Sequence, residues 1–107
     1  WKKDIVLGDV CENGFQMRPH IVWFGEAVPM METAIDFMDI ADAVFIVGTS
    51  MQVYPAASLI QYAHARVPIY FIDPKPSIDA TDRVKVFSEK ATVGVPLAIE
   101  AFQKDFL

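Results

Sequence analysis

Gly48-Thr49-Ser50 stands directly after an apolar run, and two hydroxyls beside a glycine form a group that can bond ribose or phosphate oxygens. Gly48 also lets the backbone approach a ligand closely. Two other polar groups follow apolar runs in the same way: Gly25-Glu26 after residues 20–24 (HIVWF), and Asp73-Pro74-Lys75 after residues 67–72 (VPIYFI). Asp73 is placed as an acidic residue would be to accept hydrogen bonds from ribose hydroxyls. Residues 47–55 (VGTSMQVYP) nevertheless hold neither the GxGxxG of a dinucleotide fold nor the GKS/GKT of a phosphate loop. A strand-to-helix turn capped by a hydroxyl is the plainer account, and on spacing alone it is the favoured one.

Few other residues offer chemistry. His20 and His64 are the two histidines; His20 belongs to the string RPH and His64 to a predicted helix, so both read as structural or surface residues. Cys11 is the single thiol; it excludes an internal disulfide and suits a reducing, cytoplasmic setting. A net charge of −5, with nine scattered Lys and Arg, argues against non-specific binding to nucleic acid or to an anionic membrane. No apolar run approaches the roughly 18 residues a membrane span needs, and the first residues do not read as a signal peptide.

The elements that must position these groups follow from the hydrophobic pattern. The 107 residues make one domain, and the 53% hydrophobic share excludes intrinsic disorder. Residues 1–19 hold Gly8, Gly14 and Pro19 with no sustained period and read as loop. Residues 20–24 are short, bulky and β-prone, so a strand is expected. Met31, Ala34, Ile35, Met38 and Ala41 recur at three- and four-residue spacing and predict a helix. Residues 43–47 (AVFIV) read as a parallel strand covered on both faces. A helix is expected over residues 56–66, strands over 67–72 and 84–87, and a last helix over about 95–106 with Ala98, Ala101, Phe102 and Phe106 inward. The order β-α-β-α-β-(β)-α predicts an α/β fold: a partial Rossmann-like parallel sheet, about half of the six-stranded doubly wound form, with flanking helices.

The wider string carries a specific resemblance. Residues 18–26 (RPHIVWFGE) resemble the RPxVVxFGE segment of sirtuins, the NAD-dependent protein lysine deacylases, and residues 48–57 (GTSMQVYPAA) resemble the family's GTSxxVxPAA. Residues 73–77 (DPKPS) stand where sirtuins carry an Asn-containing ribose-binding turn. Lys90-Ala91-Thr92, shortly before Val95-Pro96, is similar to their last nucleotide loop. The resemblance implies that Gly48, Thr49 and Ser50 contact the adenosine side of NAD, with Asp73, Lys75 and the backbone of Ala91 around the adenine and its ribose. Asp73 departs from the usual Asn and would disfavour a phosphorylated ribose. It further implies that Gly25, Glu26, Gln52, Val53 and Tyr54 clamp an acylated-lysine peptide as an added strand, with Val22 and Phe24 lining the acyl-lysine tunnel. Plain core packing is the alternative for Val22, Trp23 and Phe24.

By the same resemblance, residues 1–19 are a remnant of the small zinc-module-like region and its connector. Residues 20–107 are the C-terminal half of the NAD-binding domain. Sirtuins carry two Cys pairs for a structural zinc; here Asn13 stands where a partner to Cys11 would, and one soft ligand does not build a tetrahedral site. In the family reaction the acyl oxygen attacks the nicotinamide ribose, nicotinamide leaves, and a histidine base helps carry the acyl group to the ribose. The Gly-Ala-Gly-x-Ser loop, the nicotinamide-pocket Asn and Asp and the His-Gly base do not occur in this chain, so deacylation by these residues alone is not expected and NAD is expected to bind them weakly or not at all. The chain opens with Trp1 rather than Met, and a piece of a longer protein is expected. The Trp in IVWFGE is similar to sirtuins that remove acidic acyl groups such as succinyl. The alternative of a different class is a non-catalytic nucleotide-sensing or interaction module. Half a sheet leaves an apolar edge, so a homo-oligomer is expected.

Overall fold

The computed structural model describes residues 2–107; Trp1 lies outside them. Three four-residue strands, β1 (Val44–Val47), β2 (Ile69–Ile72) and β3 (Val84–Phe87), form a parallel sheet in chain order. Val44, Ile69 and Val84 lie in register at one end, and Val47, Ile72 and Phe87 at the other. Helix α1 (Met31–Ile40) precedes the sheet, a 3-10 helix (Ala56–Tyr62) links β1 to β2, and α2 (Ala91–Phe106) follows β3. The α/β class and the parallel half-sheet are therefore as the hydrophobic pattern predicts. Among the described residues no helix is long and apolar enough to cross a membrane.

The central strand explains the two-layer core. All four residues of β2 are buried, and their alternation sends Ile69 and Phe71 to one face and Tyr70 and Ile72 to the other. Ile69 and Phe71 pack with Val44, Ala63, Val67 and Val84, flanked by Met38 of α1 and Ile60 of the 3-10 helix. Tyr70 and Ile72 pack with Ala98 of α2, beside Val95, Ala101 and Phe102. Phe45 stacks on Tyr70 at 4.8 Å between ring centres and meets Phe102 edge-on at 6.0 Å.

Four expectations are corrected. Residues 20–24 form no strand: every one of them is exposed, and β-propensity without a neighbouring strand leaves the backbone groups no ladder to join. The chain turns there instead, with the Glu26 N–H donating to the Trp23 carbonyl at 3.1 Å and Gly25 at φ +86°. The helix expected over 56–66 is a 3-10 helix that ends at Tyr62. The Ser58 N–H donates to the Pro55 carbonyl at 3.0 Å, and the Ser58 hydroxyl donates to the same oxygen at 2.6 Å, favouring the tighter i−3 winding. Strand β1 is covered on one face better than the other, since Phe45 and Val47 remain 38% and 41% exposed beside an unpaired edge. Helix α2 begins at Ala91, four residues before the predicted start, because Gly94 is accommodated by close packing on Ile72.

Candidate functional site

The three strands end at one level. The Gly48 N–H donates to the Ile72 carbonyl at 2.9 Å, and the Asp73 N–H donates to the Phe87 carbonyl at 3.2 Å. The groups after the strands, Gly48-Thr49-Ser50, Asp73-Pro74-Lys75 and the start of α2 at Ala91, therefore collect beyond the carboxyl edge of the sheet. In open parallel sheets this is where ligands bind.

Each loop there is shaped by its own polar side chain. Gly48 has φ +64°, and the space where a Cβ would sit is open. Thr49 Oγ1 accepts from the Met51 N–H at 3.1 Å, closing a turn in which Met51 has φ +57°. Thr49 thus closes a turn of its own and caps no helix, since the 3-10 helix that follows has Pro55 at its cap position and no side-chain cap bond. Asp73 Oδ1 accepts from the Lys75 N–H at 2.8 Å, which folds residues 73–75 into an Asx turn. The Ser77 hydroxyl donates to the Ser50 carbonyl at 2.9 Å and ties the two loops together. Lys90, extended at ψ 151°, caps α2 through its carbonyl, which accepts from the Gly94 N–H at 2.8 Å.

A second group of candidates meets around a neighbouring cleft of about 290 Å³. Val22, Phe24, Gly25 and Glu26 form one wall; Val53 and Tyr54 form the other, joined by Trp23 and Pro55. Phe24 and Tyr54 are largely exposed there, at 92% and 68%. Gln52 is not among the residues lining this cleft. It opens instead on a separate cleft of about 340 Å³ with Ser50, Tyr54 and Ser77. Sequence reasoning missed the side-chain partner of Glu26. Arg18 forms a two-pronged ion pair with it, Nη2 to Oε2 at 2.9 Å and Nη1 to Oε1 at 3.3 Å. Arg18 holds the Glu26 carboxyl below the usual glutamate range. Opposite charges at the two ends of RPHIVWFGE were the only hint of this pair.

Comparison with known proteins decides the family. The model of the Sir2 family matches residues 2–55. The chain belongs to the Sir2 family. An NAD-dependent protein deacylase of Helicobacter pylori is 55% identical over 75 residues, which is 70% of this chain and 33% of the relative. One from Bacteroides thetaiotaomicron is 46% identical over 93 residues, 86% of this chain and 40% of the relative. A solved structure from work on the mechanism and regulation of Sir2 enzymes superposes with a TM-score of 0.69 at 28% identity, covering 90% of this chain and 41% of that one. The chain thus spans a third to two fifths of the length of these Sir2 relatives.

The remaining candidates divide. In this Sir2-family chain Cys11 is exposed, and its thiol is lowered by the backbone N–H groups of Asn13 and Phe15. Among the described residues no group of three or more His, Cys, Asp or Glu is placed to hold a metal ion. His64 Nε2 lies 3.3 Å from Asp39 Oδ1 on the surface, on the connection that leads into the amino end of β2. His20 sits on the exposed loop after Pro19.

Proposed function

We propose that this chain supplies the adenosine-side NAD contacts and the substrate-peptide clamp of an NAD-dependent protein lysine deacylase. The observation that carries the reading is a convergence. Residues 22–26 and residues 53–54, distant in sequence, face each other across one cleft, and residues 48–50 at the carboxyl edge of the sheet are joined to it through Met51 and Gln52. An extended acyl-lysine peptide would lie between Gly25-Glu26 and Val53-Tyr54 and pair with their backbone, with Val22 and Phe24 beside the acyl chain. Gln52, opening on the adjacent cleft, would then act through its backbone. Gly48 gives close access to a ligand, Thr49 and Ser50 offer hydroxyls, and Asp73, Lys75 and Ala91 border the same edge. This donor set fits a ribose with free hydroxyls, and the Asp73 carboxylate disfavours a phosphorylated one. NAD, when bound, supplies the electrophilic ribose carbon that accepts the acyl oxygen. The chain holds no His-Gly base and no Gly-Ala-Gly-x-Ser loop, and we propose that alone it does not deacylate. A reducing, cytoplasmic setting and self-association through β1 belong to the same proposal, supported by the single exposed thiol and by the open strand edge.

Amide chemical shifts test the assignment. Titrating an acetyl-lysine or succinyl-lysine peptide is expected to move residues 22–26 and 52–54, and NAD to move residues 48–50, 73–75 and 91. Equal response to an unmodified-lysine peptide, or shifts confined to the opposite end of the sheet, would sink the site assignment. Turnover of an acyl-lysine peptide by these 107 residues with NAD would refute the predicted inactivity.

A further inference from the structure

One wall of the cleft has nothing beneath it. Residues 20–27 are all exposed, and Val28 is only half-buried, so burial does not anchor this segment as it anchors β2. Two backbone bonds shape it: the Ile21 N–H donates to Pro19 at 2.8 Å and the Glu26 N–H to Trp23 at 3.1 Å. Gly25, at φ +86°, is among the residues whose conformational freedom is costly to fix. Among the described residues, the only side-chain hydrogen bonds made by residues 18–30 run between Arg18 and Glu26. That pair brackets the whole segment, joining its two ends in a planar fork that a lysine could not reproduce.

We propose that Arg18 is a positioning residue for the peptide: its fork on Glu26 clasps residues 19–25 into the wall that faces Val53 and Tyr54. The proposal rests on the peptide-clamp reading above and adds to it a side-chain role for Glu26, whose backbone alone serves the peptide there. Arg18 itself lies outside the lining of the cleft, so it acts through the loop and not by contact. Because both partners are about half-exposed, at 55% and 40%, the clasp is open to screening by salt. Peptide affinity is therefore tied to ionic strength even for a peptide without charge near the acyl-lysine.

The experiment compares the full chain with Arg18→Gln and with the swap Arg18→Glu/Glu26→Arg. Two readouts are taken: amide hydrogen exchange over residues 21–26, and affinity for an uncharged acetyl-lysine peptide at low and at molar salt. Arg18→Gln is expected to speed exchange at the Glu26 amide and weaken peptide binding by about threefold to fivefold, the upper range for an exposed pair. The swap should restore much of both, and molar salt should bring the original chain down to the level of Arg18→Gln. Neither substitution touches a core residue, and unchanged far-ultraviolet dichroism is expected. Exchange and affinity unaltered by Arg18→Gln would overturn the clasp. Failure of the original chain to bind the peptide would instead overturn the peptide-clamp reading, with exchange still deciding whether the clasp orders the loop.

Discussion

Tyr70 is fully buried, yet its hydroxyl reaches the Asp105 carboxylate near the end of α2, donating at 3.3 Å, and Lys85 of β3 pairs with the same oxygen. Burial first, then the Asp105 charge, raises the Tyr70 hydroxyl above its usual value. The bond to Asp105 raises Lys85, and the bond from Lys85 lowers Asp105. The signs give two limbs. Tyr70 and Lys85 contribute stability that is whole below pH ~10 and lost as pH rises through their raised values; Asp105 contributes above the usual carboxylate value of about 4 and loses it as pH falls through its lowered one. Tyr70→Phe is expected to cost about 0.5–1.5 kcal/mol near neutrality and to flatten the alkaline limb. Urea unfolding at pH 8 and pH 10.5 checks it; an equal loss at both would show that the hydroxyl carries no pH dependence. At this scale the residues named in motifs were legible in the sequence, because Gly48, Asp73 and Glu26 follow apolar runs. Their partners were not. Arg18 with Glu26, and Ser77 with Ser50, meet only because loops return on themselves, and no periodicity encodes a loop's path.

Among the elements, α2 makes the closest approach to the sheet. A Cβ on Gly94 would clash with Ile72 Cγ2 and lie 3.3 Å from Glu89 Cβ, and Ile72 is buried. Gly94→Ala gains about 1 kcal/mol of helix propensity but forces overpacking worth about 1–3 kcal/mol. Net destabilisation is expected, read as a lower urea midpoint with an unchanged slope. A raised midpoint would mean that α2 shifts freely. Such a shift would also move Ala91 at the carboxyl edge, so the amide of Ala91 is expected to report the substitution. This contact explains why the start of α2 was misread. Glycine is a poor helix former, which hides the start of α2 from the sequence, whereas Gly94 is a packing requirement here; Pro96, inside the expected helix, removes a single bond in the second turn. The strands β1 and β2 were legible as apolar runs that suit a parallel sheet, and β3 as a shorter β-prone run interrupted by Lys85. Residues 20–24 have the same composition, but no neighbouring strand among the described residues to pair with.

The whole molecule is longer than its residue count suggests. Its radius of gyration is 17.8 Å and its extents are 53 × 27 × 27 Å, against about 13 Å expected for a compact chain of this length. Residues 2–30 contribute no buried side chain, so the core lies wholly in the later part. Along β1 the strand alternation turns the N–H and C=O of Phe45 and Val47 away from β2, next to an apolar hollow of about 360 Å³ lined by Met38, Ile46, Leu59 and Ile60. The chain is expected to sediment as a dimer or larger species, and Val47→Lys to shift it toward monomer by charging that edge. A clean monomer at all concentrations would refute self-association through β1. The exposed half-sheet was legible from the count of apolar runs; the elongated shape was not, since it reflects residues that bury nothing. The sheet's order has a kinetic meaning as well. Val44 pairs with Ile69 and Ile69 with Val84, so each strand joins its neighbour in the chain. The register partners lie 25 and 15 residues apart, so each crossover costs more to close than a hairpin turn, and parallel pairing of this kind is slow to form. The sheet is thus laid down strand by strand in the order in which the chain is synthesised, while each pairing waits for its crossover to be complete.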